Sequence, residues 1–207
     1  MSPAGHPTPE TDWTVVIPVK GTDAAKSRLG ASNELAVAIA LDSVEAALGA
    51  ARVIVVTSAD AAEPFAALGA TVVPDAGGGL IAAVRAGIAA AGETLVAVML
   101  GDVPALATSE LVEALRLAER HPLAFVADAD DDGTVLITAL QAADHAPAFG
   151  NHSRTAHLRA GYFELDLPAT WGLRRDVDTA EQLATIPGSS LGRRTRDAAA
   201  STESPIA

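Results

Sequence analysis

Short apolar runs alternate with helix-length segments along the first half of the chain. Buried strands are predicted at four of these runs: residues 15–19, RVIVVT at 52–57, TVVP at 71–74 and TLVAVML at 94–100. Largely apolar runs of this kind are typical of parallel strands that are covered on both faces. The pattern therefore favours a parallel sheet between two layers of helices.

The segments between these strands have helical spacing. Val37, Leu41, Val44 and Leu48 recur every three or four residues, and Gly49 is the expected end of that helix. Further helices are predicted at 79–91 and from about residue 108. This alternation predicts an α/β fold: a three-layer α/β/α sandwich of Rossmann type, with a mostly parallel sheet and right-handed connections.

The second half of the chain changes character. Strands at 123–128 and 134–140 are joined by an acidic turn, and a short helix at 153–158 and a strand at 162–167 follow. Residues 173–186 are expected to form a strand, a turn and a helix. Because residues 1–11 and 188–207 lack apolar periodicity, we expect a flexible N-terminal tail, one domain over 12–187 and a disordered C-terminal tail.

Composition narrows the class of partner. The net charge of −12 argues against nucleic acid, whose phosphates need accumulated Lys and Arg, but it leaves room for a small phosphorylated ligand in a local cationic pocket. The chain has no cysteine, and no apolar run approaches the roughly 20 residues that span a bilayer. We therefore expect a cytoplasmic protein that binds neither nucleic acid nor membrane.

A loop with three cations follows the first strand. Lys20, Lys26 and Arg28 lie within nine residues of one another in an otherwise acidic chain. Open α/β sheets bind ligands at the carboxyl ends of their strands, so these cations indicate a specific anion there. The alternative is a solvated turn with ordinary surface cations.

An acidic residue follows the fourth strand. Asp102 would lie at the same sheet edge as the cationic loop, where carboxylate oxygens suit Mg²⁺ shared with substrate phosphates. Gly101 would leave room for a ligand to approach the backbone. The alternative is that Asp102 only caps the turn or the next helix.

A second pair of acids lies near the end of the predicted domain. Asp176 and Asp178 flank Val177, and alternate side chains of an extended segment share a face. Both carboxylates could therefore face one metal while Val177 faces the core. Capping of the next helix by Asp178 or Thr179 would explain one residue but not both acids. Arg174 and its neighbour could pair with phosphate or with these acids.

Two further segments offer groups that suit an anion. Thr134 provides a hydroxyl at a turn, and Gly150 and Ser153 provide N–H and hydroxyl groups at a predicted helix start. Each is an ordinary turn or cap when taken alone, but together they could bind a second phosphorylated molecule opposite a nucleotide. His157, one turn after Ser153, lies on the same helical face and is a secondary candidate.

Motifs of other phosphate chemistries do not match. The run at 77–79 lacks the G-x-x-x-x-G-K-[ST] pattern of a P-loop, and no G-x-G-x-x-G follows the first strand. P-loop hydrolysis and NAD-dependent hydride transfer are therefore disfavoured. Metal-assisted chemistry on phosphates remains, with cations at one end of the site and acids at the other.

In order along the chain, these motifs resemble those of the 2-phospho-L-lactate/phosphoenolpyruvate guanylyltransferase family of coenzyme F420 biosynthesis. The matching pieces are VVIPVK, AKSRL, GDVPAL, FVAD, DGT, FGNHS and LRRDVDTAEQL, across about residues 13–185. The resemblance implies a MobA-like fold of the nucleotide-diphospho-sugar transferase type. It also implies transfer of GMP from GTP to the phosphate of a small three-carbon acid, phosphoenolpyruvate or 2-phospho-L-lactate, with release of pyrophosphate.

Carried over by position, the resemblance also assigns a role to each motif residue. The catalytic residues that it implies are Lys20, Lys26, Arg28 and Asp102. The nucleotide-binding residues are Lys20, Lys26, Arg28, Gly79, Leu80 and Gly101. The acceptor-binding residues are Thr134, Gly150 and Ser153. The Mg²⁺ ligands are Asp102 and Asp176, with Asp178 as a neighbouring alternative. One position departs from the pattern, because Ile81 stands where family members often carry Asn.

Two alternatives to this activity stay open. A molybdopterin or sugar-phosphate nucleotidyltransferase usually opens with L-A-G-G-x-x-x-R-x-G, whereas this chain has Pro-Val-Lys-Gly at 18–21. A catalytically silent nucleotide-binding module is the other alternative, and the presence of both Asp102 and Asp176 argues against it. The acceptor acid and the oligomeric state, a homodimer included, also stay open, although the resemblance to actinobacterial members favours phosphoenolpyruvate.

Overall fold

The computed structural model describes residues 9–19 and 33–203. The strands are β1 Thr14–Pro18, β2 Arg52–Thr57, β3 Thr71–Pro74, β4 Thr94–Met99, β5 Leu123–Ala127, β6 Thr134–Gln141 and β7 Phe163–Glu164. Together they form a seven-stranded sheet in the order β3-β2-β1-β4-β6-β5-β7. The bounds of β2 and β3 are those that the apolar runs predict, and β4 ends one residue earlier.

Helices connect most of these strands. They are α1 Asn33–Ala50, α2 Ala62–Leu68, α3 Leu80–Ala91, α4 Thr108–Ala118, α5 Ser153–Arg159, α6 Ala180–Ala184 and α7 Arg193–Glu203. Among the residues that the structure describes, no helix is long and apolar enough to cross a membrane.

The alternation of side chains along β1 separates two apolar cores. Val15 and Ile17 pack in a core with residues of α1 and α4, whereas Val16 points to the opposite face and packs with Val84 of α3. Successive side chains of a strand point to opposite faces, so a fully apolar strand must be covered on both. The predicted three-layer α/β/α sandwich is confirmed.

The sheet is mostly parallel, with one reversed strand. β1 pairs in parallel with both β2 and β4, and β2 pairs in parallel with β3. β6 lies between β4 and β5 and is antiparallel to both. The chain builds β2 and β3 on one side of β1 and then returns to place β4 on the other. The gap between the carboxyl ends of β1 and β4 is therefore a topological switch point, where open α/β sheets bind ligands.

Several local predictions are wrong. Helix α1 passes through Gly49 and ends at Ala50, and Gly49 instead permits close packing, since a Cβ there would lie 2.8 Å from the side chain of Thr108. The strand expected at 162–167 is reduced to Phe163–Glu164. Residues 172–174 form a 3₁₀ helix rather than the start of a strand.

The expected disordered tail is wrong for residues 188–203. After a 3₁₀ turn at Gly188–Ser190, this segment forms α7, which packs against α1. Arg194 Nη1 lies 3.1 Å from Asp42 Oδ1 and 2.7 Å from Glu45 Oε2, and the backbone N–H of Thr195 donates to Asp42 Oδ2 at 2.7 Å. These contacts join residues about 150 positions apart, which is why local periodicity does not reveal them.

The prediction of a flexible N-terminal tail over residues 1–11 is also wrong for Thr11. Both the backbone N–H and the hydroxyl of Thr11 donate to the carbonyl of Ala50, each at 2.9 Å. Trp13 follows in the core with no exposed surface. Thr11 is therefore held against the end of α1.

Candidate active site

A cleft of about 650 Å³ opens at the switch point of the sheet. Pro18 and Val19 line one side at the end of β1, and residues 100–102 line it where the chain leaves β4. The Val19 N–H donates to the Val56 carbonyl at 2.9 Å, which keeps β1 in register up to the edge of the cleft. Because β6 is reversed, its first residue, Thr134, reaches the same edge.

The cleft gathers most of the residues that the sequence singles out. Those that line it are Gly79, Leu80, Gly101, Asp102, Thr134, Gly150, Ser153, Asp176 and Asp178. The remaining candidates, Lys20, Lys26 and Arg28, lie outside the described residues. Segments that are far apart in the chain thus meet in one place, as the predicted topology requires.

A backbone contact holds the two acidic segments together. The Val177 N–H donates to the Asp102 carbonyl at 2.9 Å, so Asp176 lies beside the loop that carries Asp102. Val177 itself is 2% exposed and packs with Leu35 and Ile39 of α1. The prediction that Val177 faces the core is confirmed, and Asp176 and Asp178 both line the cleft.

The cap of α6 is Thr179, which leaves both acids for another role. The Gln182 N–H donates to Thr179 Oγ1 at 3.2 Å, and Gln182 Oε1 accepts from the Asp178 and Thr179 N–H groups at 2.8 and 3.0 Å. This reciprocal pair satisfies the exposed N–H groups of the first turn. Neither carboxylate is needed for capping, and both line the cleft.

The carboxylate of Asp176 carries an excess of nearby negative charge. Burial, and then the charge of Asp128, raises the pKa of Asp176 to about 6, and Asp178 adds to the effect. Like charges and a low dielectric both disfavour the ionised form. A cation placed among these groups would reverse the shift, because it would favour the charged carboxylate.

Six aspartates of the described part of the chain line the cleft. They are Asp75, Asp102, Asp128, Asp132, Asp176 and Asp178. Among the described lining residues there is no Lys, Arg or His to balance them. The described part of the lining is therefore rich in acidic groups.

The donor set fits a hard divalent cation. No group of three or more His, Asp or Glu residues close enough to enclose a metal occurs in the described part of the chain. Mg²⁺ is commonly held by only one or two carboxylates, with waters and substrate phosphates completing its octahedron. Asp102 and Asp176, whose segments are linked by the hydrogen bond from the Val177 N–H to the Asp102 carbonyl, could offer the oxygen ligands for such a site.

Asp128 is a cleft residue that sequence reasoning missed. Its carboxylate accepts from the N–H groups of Asp132 at 3.0 Å and Gly133 at 2.7 Å, which closes the turn before Thr134. A Cβ on Gly133 would collide with this carboxylate, so the turn needs glycine there. The signal that identified Asp102, an acid directly after a buried strand, also applies to Asp128 after β5 and could have found it.

Arg174 has a structural role in place of the predicted pairing. Its guanidinium donates to the carbonyls of Ala127, Leu167 and Asp128 at 3.0, 2.9 and 2.6 Å, and it lies 2.6 Å from Asp131 Oδ1. These contacts fix the end of β5 and the turn after it. Arg174 thus holds the backbone at Asp128, and its guanidinium pairs with Asp131 rather than with the acids at 176 and 178.

The opposite wall of the cleft is built around a buried histidine. The Thr134 hydroxyl lies 2.9 Å from His157 Nδ1, and the Ala148 N–H donates to His157 Nε2 at 3.0 Å. Ser153, one turn before His157 on α5, is 2% exposed and lines the cleft. Gly150 has φ +128°, a backbone conformation that favours glycine. His157 therefore joins the three predicted acceptor-binding segments.

A glycine run forms the third wall, before α3. Gly77, Gly78 and Gly79 all have positive φ, at +85°, +94° and +84°. Asp75 Oδ1 accepts from the Gly77 N–H at 2.8 Å and holds the loop closed. Only glycine readily adopts positive φ at three successive residues. The loop that these glycines form brings Gly79 and Leu80 to the cleft.

The fold and these walls define a class of protein: a nucleotidyltransferase-type α/β domain with its ligand cleft at the switch point. Sequence comparison agrees, because the profile of the MobA-like NTP transferase domain matches residues 23–166. The phosphoenolpyruvate guanylyltransferase of Streptomyces scabiei is 44% identical, and the match covers 91% of this chain and 96% of the relative. That of Streptosporangium roseum is 41% identical, with 88% of each chain covered. The chain belongs to the MobA-like NTP transferase family, in the group of its phosphoenolpyruvate guanylyltransferase relatives.

Solved structures support the fold at lower identity. The 2-C-methyl-D-erythritol 4-phosphate cytidylyltransferase of Thermus thermophilus gives a TM-score of 0.60 at 17% identity, and 87% of this chain and 99% of that chain are covered. Rv0371C from Mycobacterium tuberculosis, solved in complex with manganese, gives 0.58 at 19% identity over 84% of this chain and 97% of that one. The predicted MobA-like architecture is confirmed.

Proposed function

We propose that this protein transfers GMP from GTP to phosphoenolpyruvate, and that 2-phospho-L-lactate is the alternative acceptor. The product is enolpyruvoyl-2-diphospho-5'-guanosine, formed with pyrophosphate in a step of coenzyme F420 biosynthesis. The observation that carries the proposal is one cleft with two different walls. A glycine loop and the ends of β1 and β4 line one part of it, and Thr134, Gly150 and Ser153 line another, while Asp102 and Asp176 line the same cleft. Relatives 41–44% identical carry the name of this activity.

The reaction needs two anions to be brought together. An oxygen of the acceptor phosphate attacks the α-phosphorus of GTP, the bond from that phosphorus to the α–β bridging oxygen breaks, and pyrophosphate leaves with the bonding electrons. The acceptor phosphate is already ionised near neutral pH, so no side chain is assigned as a general base. Positioning and charge compensation supply most of the rate enhancement.

In this proposal Asp102 and Asp176 hold Mg²⁺, with Asp178 exposed at the edge of the same group. Mg²⁺ would compensate the charge of the phosphates and orient them. The two carboxylates keep fixed positions because Val177 is anchored in the core. Lys20, Lys26 and Arg28 are proposed to bind the GTP phosphates, and Lys20 follows the cleft residue Val19 directly in the chain.

The two walls are proposed to separate the substrates. Gly79, Leu80 and Gly101 would contact the nucleotide, and Thr134, Gly150 and Ser153 would contact the acceptor. A Cβ on Gly101 would lie 3.2 Å from the side chain of Ile17 and 3.4 Å from that of Val19, so glycine keeps β1 and the 101 loop close together.

A pyrophosphate-release assay tests the proposal. GTP, ATP and CTP are each combined with phosphoenolpyruvate, 2-phospho-L-lactate or 3-phosphoglycerate, with Mg²⁺ or with a chelator. We expect the fastest release from GTP with phosphoenolpyruvate, dependent on the metal. Absence of release from GTP with every acceptor would refute the proposed function.

A further inference from the structure

His157 is buried in the wall of the cleft with both ring nitrogens in hydrogen bonds. It has no exposed surface. Nδ1 lies 2.9 Å from Thr134 Oγ1, and Nε2 accepts from the Ala148 N–H at 3.0 Å. The rings of Phe149 and Tyr162 pack edge-on against the imidazole, at centroid distances of 5.4 and 5.2 Å, and so fix its plane.

These contacts determine the tautomer of His157. A backbone N–H can only donate, so Nε2 must be the unprotonated, accepting nitrogen. Burial lowers the pKa of His157 to about 4, so the ring is neutral at ordinary pH and its single proton lies on Nδ1. The Nδ1–H group cannot accept a hydrogen bond from Thr134.

The hydroxyl of Thr134 is consequently constrained. Its oxygen can only accept from the imidazole, so its own proton is left for another acceptor. Thr134 is 3% exposed and lines the cleft, together with Gly150 and Ser153. A hydroxyl that is forced to donate suits an anionic oxygen and does not suit a hydrogen-bond donor.

We propose that His157 is a positioning residue that makes Thr134 an obligatory hydrogen-bond donor to an anionic group of the acceptor. By accepting from the Ala148 N–H, it also anchors the loop that carries Phe149 and Gly150 into the cleft. This inference rests on the proposed acceptor position in that wall of the cleft. It adds to the proposed function a reason why that wall selects a phosphate or carboxylate over a neutral group.

A neighbouring histidine has the opposite arrangement and provides an internal reference. His145 Nε2 lies 3.0 Å from the Val96 carbonyl, which can only accept, so the proton of a neutral His145 lies on Nε2. Its Nδ1 then accepts from the Tyr162 hydroxyl at 3.1 Å, and that hydroxyl accepts from the Ala146 N–H at 2.9 Å. His157 and His145 should therefore show different tautomers in one spectrum.

The first test reads the tautomers directly in the wild-type protein. Long-range proton–nitrogen NMR of the imidazole rings distinguishes a protonated Nδ1 from a protonated Nε2 and does not depend on turnover. We expect Nδ1–H for His157 and Nε2–H for His145. A protonated Nε2 on His157 would overturn the inference.

The second test measures dissociation constants for phosphoenolpyruvate and GTP by calorimetry with Mg²⁺. His157→Gln keeps an acceptor for Ala148 but loses the donor to Thr134, whereas His157→Asn keeps an amide donor near Nδ1. We expect His157→Gln to weaken phosphoenolpyruvate binding about 10-fold or more, in the range of a hydrogen bond to a charged group, and His157→Asn to weaken it less. GTP binding should stay close to wild type in both variants. The control is His121→Gln, outside the cleft, which should bind both phosphoenolpyruvate and GTP as the wild type does.

A double-mutant cycle separates this role from general packing. In a Thr134→Val background, His157→Gln should weaken phosphoenolpyruvate binding by less than about twofold further, because the hydroxyl through which it acts is gone. Additive losses, or equal losses of phosphoenolpyruvate and GTP binding, would overturn the inference. Failure of the proposed function would be a different result: wild-type protein that binds phosphoenolpyruvate but releases no pyrophosphate from GTP.

Discussion

At the scale of single residues, the main feature of the cleft is a set of carboxylates that suits a bound cation. Asp102 and Asp176 are held in place by a backbone hydrogen bond, and burial with Asp128 nearby raises the pKa of Asp176 to about 6. The family resemblance of the sequence implies that these two acids share one site, and both line the same cleft. Asp128 carries the same signal, an acid directly after a buried strand, but the turn that its carboxylate closes is seen only in the structure.

Replacing Asp102 tests the metal site. Asp102→Asn keeps the shape of the side chain but removes its charge, so turnover should fall at least about 100-fold, as for loss of a pre-placed electrostatic group. The melting temperature should change little. Asp166→Asn is the matched control, because Asp166 is exposed and is not among the cleft-lining residues. Near-normal turnover of the Asp102 variant at ordinary Mg²⁺ would contradict the assignment.

Ser153 and Gly150 test the acceptor wall. Ser153→Ala removes one hydroxyl from the cleft, so the KM for the acceptor should rise about 10-fold or more, while the KM for GTP stays close to wild type. Gly150→Ala should raise the KM for the acceptor further, because alanine is strained at φ +128° even though no atom crowds the position. Steady-state kinetics with each substrate varied in turn gives both constants. A Ser153 variant that weakened GTP and spared the acceptor would mean that the two walls are reversed.

The buried imidazole of His157 predicts a pH dependence of stability. Its pKa is lowered from 6.5 to about 4, chiefly by burial, so the unfolded chain takes up a proton in this interval that the folded protein does not. The contribution of His157 is therefore complete above pH 6.5 and is lost as the pH falls to about 4, at most about 3 kcal/mol.

Urea unfolding of wild type and His157→Gln at a series of pH values measures this effect. The difference in the free energy of unfolding between the two proteins should narrow as the pH falls through that interval. Asp176 has the opposite sign in part of the same range, because its raised pKa stabilises the folded state at low pH and that contribution is lost as the pH rises through about 6. Asp176 is present in both proteins and cancels. A difference that does not change with pH would contradict the buried, neutral state of His157.

At the scale of elements, the sequence predicts a strand or helix where the pattern of neighbouring residues is sufficient to identify it. The strands at 52–57 and 71–74 are predicted at their observed bounds from short apolar runs, although only the first is buried and β3 lies half-exposed at the sheet edge. Helix α7 is missed because its contacts with Asp42 lie far away in sequence. The same limit applies to the site. Motifs identify Asp102 and Thr134, but the role of His157 rests on its hydrogen bond from the Ala148 N–H, which only the structure shows.

The docking of α7 gives a prediction at this scale. Arg194→Ala removes the ion pairs with Asp42, which is 7% exposed, and with Glu45, so the free energy of unfolding should fall by about 1 kcal/mol. Arg193→Ala is the matched control, since Arg193 is exposed on the same helix. Thermal and urea denaturation should separate the two variants. Equal stability of both would mean that the pairing of α7 with α1 contributes nothing measurable.

At the scale of the whole molecule, the single reversed strand explains how one sheet serves two substrates. The parallel half, from β3 to β4, brings Gly79, Gly101 and Asp102 to the cleft, where we propose that the nucleotide binds. β6 runs the other way and brings its first residue, Thr134, to the same edge as the last residues of β4. We propose that the acceptor binds at that wall and the nucleotide at the other, so that both reach one cleft.

Identification of the product tests the central claim most directly. GTP labelled at the α-phosphorus is incubated with phosphoenolpyruvate and Mg²⁺, and the products are separated and examined by phosphorus NMR and mass spectrometry. We expect the label in a new diphosphate that joins GMP to the acid, with unlabelled pyrophosphate in equal amount. Label found only in GMP or GDP, or released as inorganic phosphate, would contradict guanylyl transfer.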